Sequence, residues 1–144
     1  MRKKVILVDL DGTLCNIEHR RPLLERKNWK EFFRLMPFDK PNEWCVTLCN
    51  ALTSTGTEII FVTGRHEEYR QITENWLSQY GFKQQLFMRP EGDYRQDAIV
   101  KTEIYNSKIE PYFEVLFCVD DRQQVVDAWR ALGLVCLQCA IGNY

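Results

Sequence analysis

Two carboxylates separated by one residue end the apolar run Val5-Ile6-Leu7-Val8-Asp9-Leu10-Asp11-Gly12-Thr13. Side by side, Asp9 and Asp11 repel each other, and one must keep its proton unless a cation lies between them. Asp-Gly is a common turn dipeptide, which accounts for Asp11-Gly12. It accounts neither for Asp9 nor for the whole order Asp-Leu-Asp-Gly-Thr. A carboxylate nucleophile working with a metal ion accounts for both acids.

Three later stretches offer matching groups. In Val62-Thr63-Gly64-Arg65 a hydroxyl, a glycine and a guanidinium follow another apolar run. Thr63 can donate to a phosphate oxygen, Gly64 and the helix start expected after it can present backbone N–H groups, and Arg65 can bind phosphate oxygens. A Thr-Gly turn with a solvated arginine has the same composition, so this stretch is weak alone. Asp97 and Lys101 stand four apart and share a helix face, where a surface ion pair is the ordinary outcome. In a phosphatase the lysine offsets charge on the phosphoryl group and on the attacking carboxylate. The last stretch, Val115-Leu116-Phe117-Cys118-Val119-Asp120-Asp121-Arg122, again closes an apolar run with two acids. Mg²⁺ takes oxygen ligands, usually one or two carboxylates with water and substrate phosphate. Asp9, one of Asp120 or Asp121, and Asp11 through its backbone carbonyl form a suitable set. Asp121 can equally cap a following helix.

Such groups need strands that deliver them to one edge. Apolar runs at 4–9, 57–62, 114–119 and 134–138, with a short one near 85–88, read as strands, the apolar ones buried on both faces. Helical patterns lie between them. One spans 41–54, with Trp44, Leu48 and Leu52 on one face and Cys45 and Cys49 beside them. Another spans 66–80, with Tyr69, Ile72, Trp76 and Tyr80 turned inward, and two more span 94–107 and 122–132. This alternation predicts an α/β fold of Rossmann type: a central parallel sheet of about five strands flanked by helices. Residues 15–40 carry no strand signal and are too long for an ordinary loop. They are expected to form a small helical cap over the mouth of the site. The cap's aromatic residues are expected to pack it onto the body rather than to stack on a base.

At 144 residues the chain is expected to be one domain, 1–144. A net charge of −1, from 19 basic and 20 acidic side chains, excludes a protein that coats nucleic acid but not one that grips a single phosphate. No apolar stretch reaches membrane-spanning length, and the run behind Met1-Arg2-Lys3-Lys4 is too short for a signal peptide. A cytoplasmic location without a membrane partner is therefore expected. Of the six cysteines, the pairs Cys45/Cys49 and Cys136/Cys139 have spacings that a zinc site could use. Neither pair lies in a Gly-rich knuckle, so core thiols are expected.

Taken in order, Asp9/Asp11, Thr63, Lys101 and Asp120/Asp121 resemble the four motifs of the haloacid dehalogenase superfamily, mostly Mg²⁺-dependent phosphatases. Longer stretches narrow the likeness. They are Asp9 to Leu14 with Arg20 following, Thr63-Gly64-Arg65, Met88 to Lys101, Asp120 to Leu134, and the ending Gln138 to Tyr144. These are similar to the 3′-phosphatase domain of phage polynucleotide kinases over essentially the whole chain. The resemblance implies removal of a 3′-phosphate from DNA, RNA or nucleoside 3′-phosphates. It also implies that Arg20, Arg65 and Asp97 bind the phosphate or organise its site, beside Thr63, Gly64 and Lys101. Thr63 stands where a serine is usual, and Asn143 where an aspartate is common. No G-x-x-x-x-G-K-[S/T] occurs, so no 5′-kinase activity is expected of this chain.

The expected mechanism has Asp9 attack phosphorus to form an aspartyl-phosphate, with Mg²⁺ as cofactor. Asp11, held protonated beside the negative phosphate, would give its proton to the leaving oxygen and then activate water. Two other readings share the same core residues: a phosphatase of a free nucleotide or small metabolite, and a phosphate-binding module without turnover.

Overall fold

In chain order the elements are β1 (Lys3–Val8), β2 (Cys15–Asn16), α1 (Arg21–Glu25), α2 (Trp29–Arg34), β3 (Lys40–Pro41), α3 (Glu43–Ser54), β4 (Glu58–His66), α4 (Arg70–Gln79), β5 (Gln85–Arg89), α5 (Asp97–Ile104), β6 (Phe113–Arg122), α6 (Gln123–Ala131) and β7 (Cys136–Gly142). This computed structural model describes residues 1–144. Five strands form one sheet in the order β5-β4-β1-β6-β7, and every pairing in it is parallel. The sheet is the α/β architecture that the β-α alternation predicts.

Strand β1 lies at the centre. Its residues Val5 and Leu7 face one core, with Ile60, Val100, Val125 and Trp129, while Ile6 and Val8 face the other, with Cys45, Cys49, Phe61 and Trp76. Burial on both faces is why the run is continuously apolar. The register sets Val8 beside Phe61 of β4 and Val119 of β6. Asp9, Val62 and Asp120 therefore stand at the same level, just past the carboxyl end of β1's pairings with β4 and β6. No helix is long and apolar enough to cross a membrane.

Several boundaries differ from the sequence reading. Strand β4 continues to His66, and a single 3₁₀ turn (Glu67–Tyr69) precedes α4. Thr63, Gly64 and Arg65 thus lie in the strand, and no helix N-terminus follows Gly64 directly. The buried face of α4 is Thr73, Trp76 and Leu77, and Ile72 is 39% exposed. On α3 the two small thiols, Cys45 and Cys49, approach the sheet, and Trp44 is left 45% exposed. Helix α5 starts at Asp97 rather than at 94 and runs into one π-helical turn, Tyr105–Ile109.

Residues 15–40 form the cap, with α1 and α2 as its body. Its neck is the antiparallel pair β2–β3, in which Cys15 faces Pro41 and Asn16 faces Lys40. Two-residue strands leave no periodic trace in a sequence, which is why none is visible there.

Candidate active site

Asp9 stands one residue past β1, and its backbone N–H still donates to Val119 O at 3.1 Å. Lys101, on the buried face of α5, reaches across to donate to Asp9 Oδ1 (2.8 Å) and Asp120 Oδ2 (2.9 Å). Thr13 Oγ1 donates to Asp9 Oδ2 at 3.2 Å. Asp121 completes the group: one oxygen from each of Asp9, Asp120 and Asp121 lies within 4.8 Å of the others. Gly12 adopts φ +84°, and a Cβ there would lie 2.2 Å from Asp121 Oδ2, so only glycine lets this carboxylate close in. Tyr144 Oη donates to the same oxygen at 2.5 Å.

These three carboxylates are buried with a single ammonium. Burial raises the Asp9 carboxyl well above its ordinary range; Asp120 adds to this, and Lys101 offsets part of it. Burial likewise raises Asp120 against the pull of Lys101. Burial works against the charged form of Lys101, yet Asp120 and Asp9 win and hold it protonated. An excess of buried oxygen donors over positive charge suits a hard divalent cation. The donor set fits Mg²⁺.

Asp11 belongs to a second cluster. It accepts from Arg20 Nη2 and Arg65 Nη2, both at 2.6 Å. Arg20 also makes a two-pronged contact with Asp39, Nε to Oδ1 at 2.8 Å and Nη2 to Oδ2 at 2.7 Å. Arg65 Nη2 reaches Asp39 Oδ2 at 3.3 Å. The Trp76 indole N–H donates to Asp39 O at 2.8 Å. Burial alone would push the Asp11 carboxyl up, but Arg65 and Arg20 outweigh it and hold the group well below the usual carboxylate range. Asp11 is therefore ionised in the unliganded protein. Its side chain faces the arginines instead of the Asp9 cluster.

Thr63 Oγ1 accepts from the Arg65 backbone N–H at 3.2 Å, so its own hydrogen is free for a ligand oxygen. Gly64 lies under Asp97. The Asp97 carboxylate accepts from Arg89 Nη2 (2.6 Å) and pairs with Arg122 Nη1 (3.2 Å). Arg89 Nε also donates to Gly64 O at 2.8 Å. Burial would raise Asp97, but Lys101, Arg122 and Arg89 together hold it below its ordinary value.

A cavity of about 560 Å³ is lined by Asp9, Asp11, Thr63, Gly64, Arg65, Asp97 and Asp121 together with cap residues. Arg20, fully buried between Asp11 and Asp39, is not among its lining residues. It organises the site rather than facing a ligand. Trp29, Phe32 and Phe33 all line the cavity: Phe32 is buried against the Arg20 guanidinium of the cap itself, Phe33 meets the body rings of Tyr69 (5.0 Å) and His66 (6.3 Å), and Trp29 is half-exposed. Packing onto the body thus describes Phe33.

Sequence reasoning missed Asp39, Arg89 and Tyr144. Arg89 ends β5, and the strand-end rule that picked Asp9 and Asp120 would have found it. Asp39 and Tyr144 sit in no periodic element and carry no comparable signal.

A family model described as "Polynucleotide kinase PNKP phosphatase domain" matches residues 3–144. A putative bifunctional polynucleotide kinase/RNA ligase of Autographa californica nuclear polyhedrosis virus is 30% identical over 136 residues, 91% of this chain and 18% of that protein. A chain in a structure of a Pnkp1/Rnl/Hen1 complex superposes with a TM-score of 0.87 at 33% identity, over 99% of this chain and 48% of that one. The chain thus spans less than half the length of either relative. A class C acid phosphatase from Bacillus anthracis, solved with tungstate bound, shares the fold at a TM-score of 0.68 and 13% identity, over 92% of this chain and 61% of its own. The motifs lie on a haloacid-dehalogenase-type sheet and the family match runs nearly from end to end, so the chain belongs to the family of polynucleotide kinase phosphatase domains.

Proposed function

We propose that this chain is a Mg²⁺-dependent phosphatase that removes 3′-phosphates from DNA or RNA ends or from nucleoside 3′-phosphates. The supporting observation is the Asp9 carboxylate, held by Lys101 at the floor of a cavity that Thr63, Arg65 and Asp11 also line. The 3′-end substrate is supported by the relatives, one a putative polynucleotide kinase/RNA ligase and another part of an RNA repair complex.

In this reading Asp9 attacks phosphorus in line, and the bond to the leaving 3′-oxygen breaks as the aspartyl-phosphate forms. Lys101 keeps Asp9 aimed and offsets its charge. The Thr63 hydroxyl and Arg65 hold the equatorial oxygens, each lost donor costing on the order of 3 kcal/mol. A phosphate dianion entering beside Asp11 raises the proton affinity of that carboxyl. Asp11 takes up one proton with the substrate and gives it to the departing 3′-oxygen. It then removes a proton from the water that attacks phosphorus and frees Asp9. Asp9, Asp120 and Asp121, with the Asp11 carbonyl, would hold Mg²⁺, which supplies charge neutralisation between nucleophile and phosphate.

The test is phosphate release with Mg²⁺ from matched 3′- and 5′-phosphorylated oligonucleotides, a nucleoside 3′-phosphate and a panel of small phosphorylated metabolites. Release confined to 3′-phosphates is expected. Release from metabolites alone, or from nothing, overturns the proposal.

A further inference from the structure

The cavity is much larger than a phosphate group requires, and its volume of about 560 Å³ is of the size that holds small organic ligands. Four of its lining residues form a connected row of rings. Trp29 and Phe33, four apart on α2, lie 6.1 Å centroid to centroid at an interplanar angle of 25°. Phe33 meets His66 at 6.3 Å, and His66 meets Tyr94 at 5.3 Å. The row crosses from the cap to the end of β4 and on to the loop before α5.

The two end rings are not core packing. Trp29 is 49% exposed and Tyr94 83% exposed, whereas the core pair Phe61 and Phe82 is fully enclosed. His66 adds an independent sign. Its Nδ1 is shielded from solvent and has no hydrogen-bond partner, an arrangement that costs free energy unless something pairs with it. Burial, reinforced by Arg89, lowers the imidazole pKa from its ordinary value, so a neutral ring with an unused polar edge sits in the middle of the row.

We propose that the Trp29–Phe33–His66–Tyr94 row is a stacking subsite for the nucleobase of the nucleotide that carries the 3′-phosphate. This rests on the 3′-phosphatase reading above. Asp9 and Thr63, which face the phosphate in that reading, line the same cavity as the rings, so phosphate and base of one nucleotide share one enclosure. Every base has a π-face, so stacking selects for a nucleoside over a sugar phosphate without selecting one base. Tyr94, the most exposed ring of the row, is the outer contact.

The experiment compares two oligonucleotides with a 3′-phosphate, one ending in an ordinary nucleotide and one in an abasic residue. Loss of the base is expected to lower kcat/KM of the wild type on the order of tenfold, mainly through KM. Tyr94→Ala and Trp29→Ala are expected to bring the ratio of the two substrates towards one, and Tyr94→Phe to restore it. Equal hydrolysis of both substrates by the wild type, or a ratio untouched by either alanine variant, overturns the subsite while the 3′-phosphatase reading stands. If neither 3′-phosphorylated oligonucleotide is hydrolysed, that reading fails and the subsite fails with it.

Discussion

Gly64 lies so close under the Asp97 carboxylate that a Cβ there would sit 1.9 Å from Oδ1. The carboxylate has no easy retreat, because Arg89 and Arg122 hold it from the other side. Gly64→Ala is therefore expected to displace Asp97, break its pairing with Arg89 and shift the adjacent Thr63 hydroxyl. The expected loss is roughly 1–3 kcal/mol of stability in urea denaturation, with a fall in phosphate release. An unchanged urea midpoint would mean that Asp97 moves freely.

Asp9→Asn is expected to abolish phosphate release and yet raise thermal stability without metal. The folded-state pKa of Asp9 lies above its unfolded value, so its charge opposes folding at neutral pH. That penalty grows as pH rises from the unfolded value through the folded one. Removing the charge should stabilise the metal-free protein by about 0.5–2 kcal/mol at pH 7. Thermal melts at pH 7 check the gain, and near-normal turnover in the variant would end the covalent scheme.

Asp11 has the opposite sign. Its folded-state pKa is depressed by Arg65 and Arg20 against burial. The pairing stabilises the protein fully above the unfolded pKa of about 3.9 and is lost as pH falls through the folded value. Asp11→Asn should cost on the order of 2 kcal/mol at pH 7. The gap from wild type should close as the pH falls below about 4. Urea unfolding at a series of pH values measures it.

Mg²⁺ at a hundred times its dissociation constant should stabilise the wild type by about 2.7 kcal/mol. Chelation should reverse the effect. Tyr144→Phe removes the hydrogen bond that holds Asp121 Oδ2, and the Mg²⁺ concentration at half-effect should rise about tenfold. Melting temperature against Mg²⁺ concentration gives both values, and identical curves for the two proteins would show that Tyr144 does not orient Asp121.

The fold was legible because Val5 to Val8 and Ile59 to Val62 are buried on both faces, so sequence hydrophobicity and strand position coincide. The placement of Asp9 and Asp120 at strand ends follows from the same runs, and that of Lys101 beside them from its place on the buried face of α5. The Arg20–Asp39 and Arg65–Asp11 pairings were not legible. They join residues 19 and 54 apart, and contacts of that kind follow no period. Trp76 is buried as its spacing predicts, but the inner face of α4 is completed by Thr73 and Leu77 rather than by Ile72, which the apolar pattern alone favours over the polar Thr73.

The Arg20 cluster has a further consequence. Cap and body are joined by Arg20 to Asp11 at 2.6 Å, Arg65 to Asp39 at 3.3 Å, and the Trp76 indole to the Asp39 carbonyl at 2.8 Å. Swinging the roof outward would strip partners from charges that are almost fully enclosed, at a cost on the order of 3–5 kcal/mol. Fewer than about one molecule in a hundred would stand ajar at equilibrium. Substrate and product are then expected to pass through the cavity mouth with the roof in place.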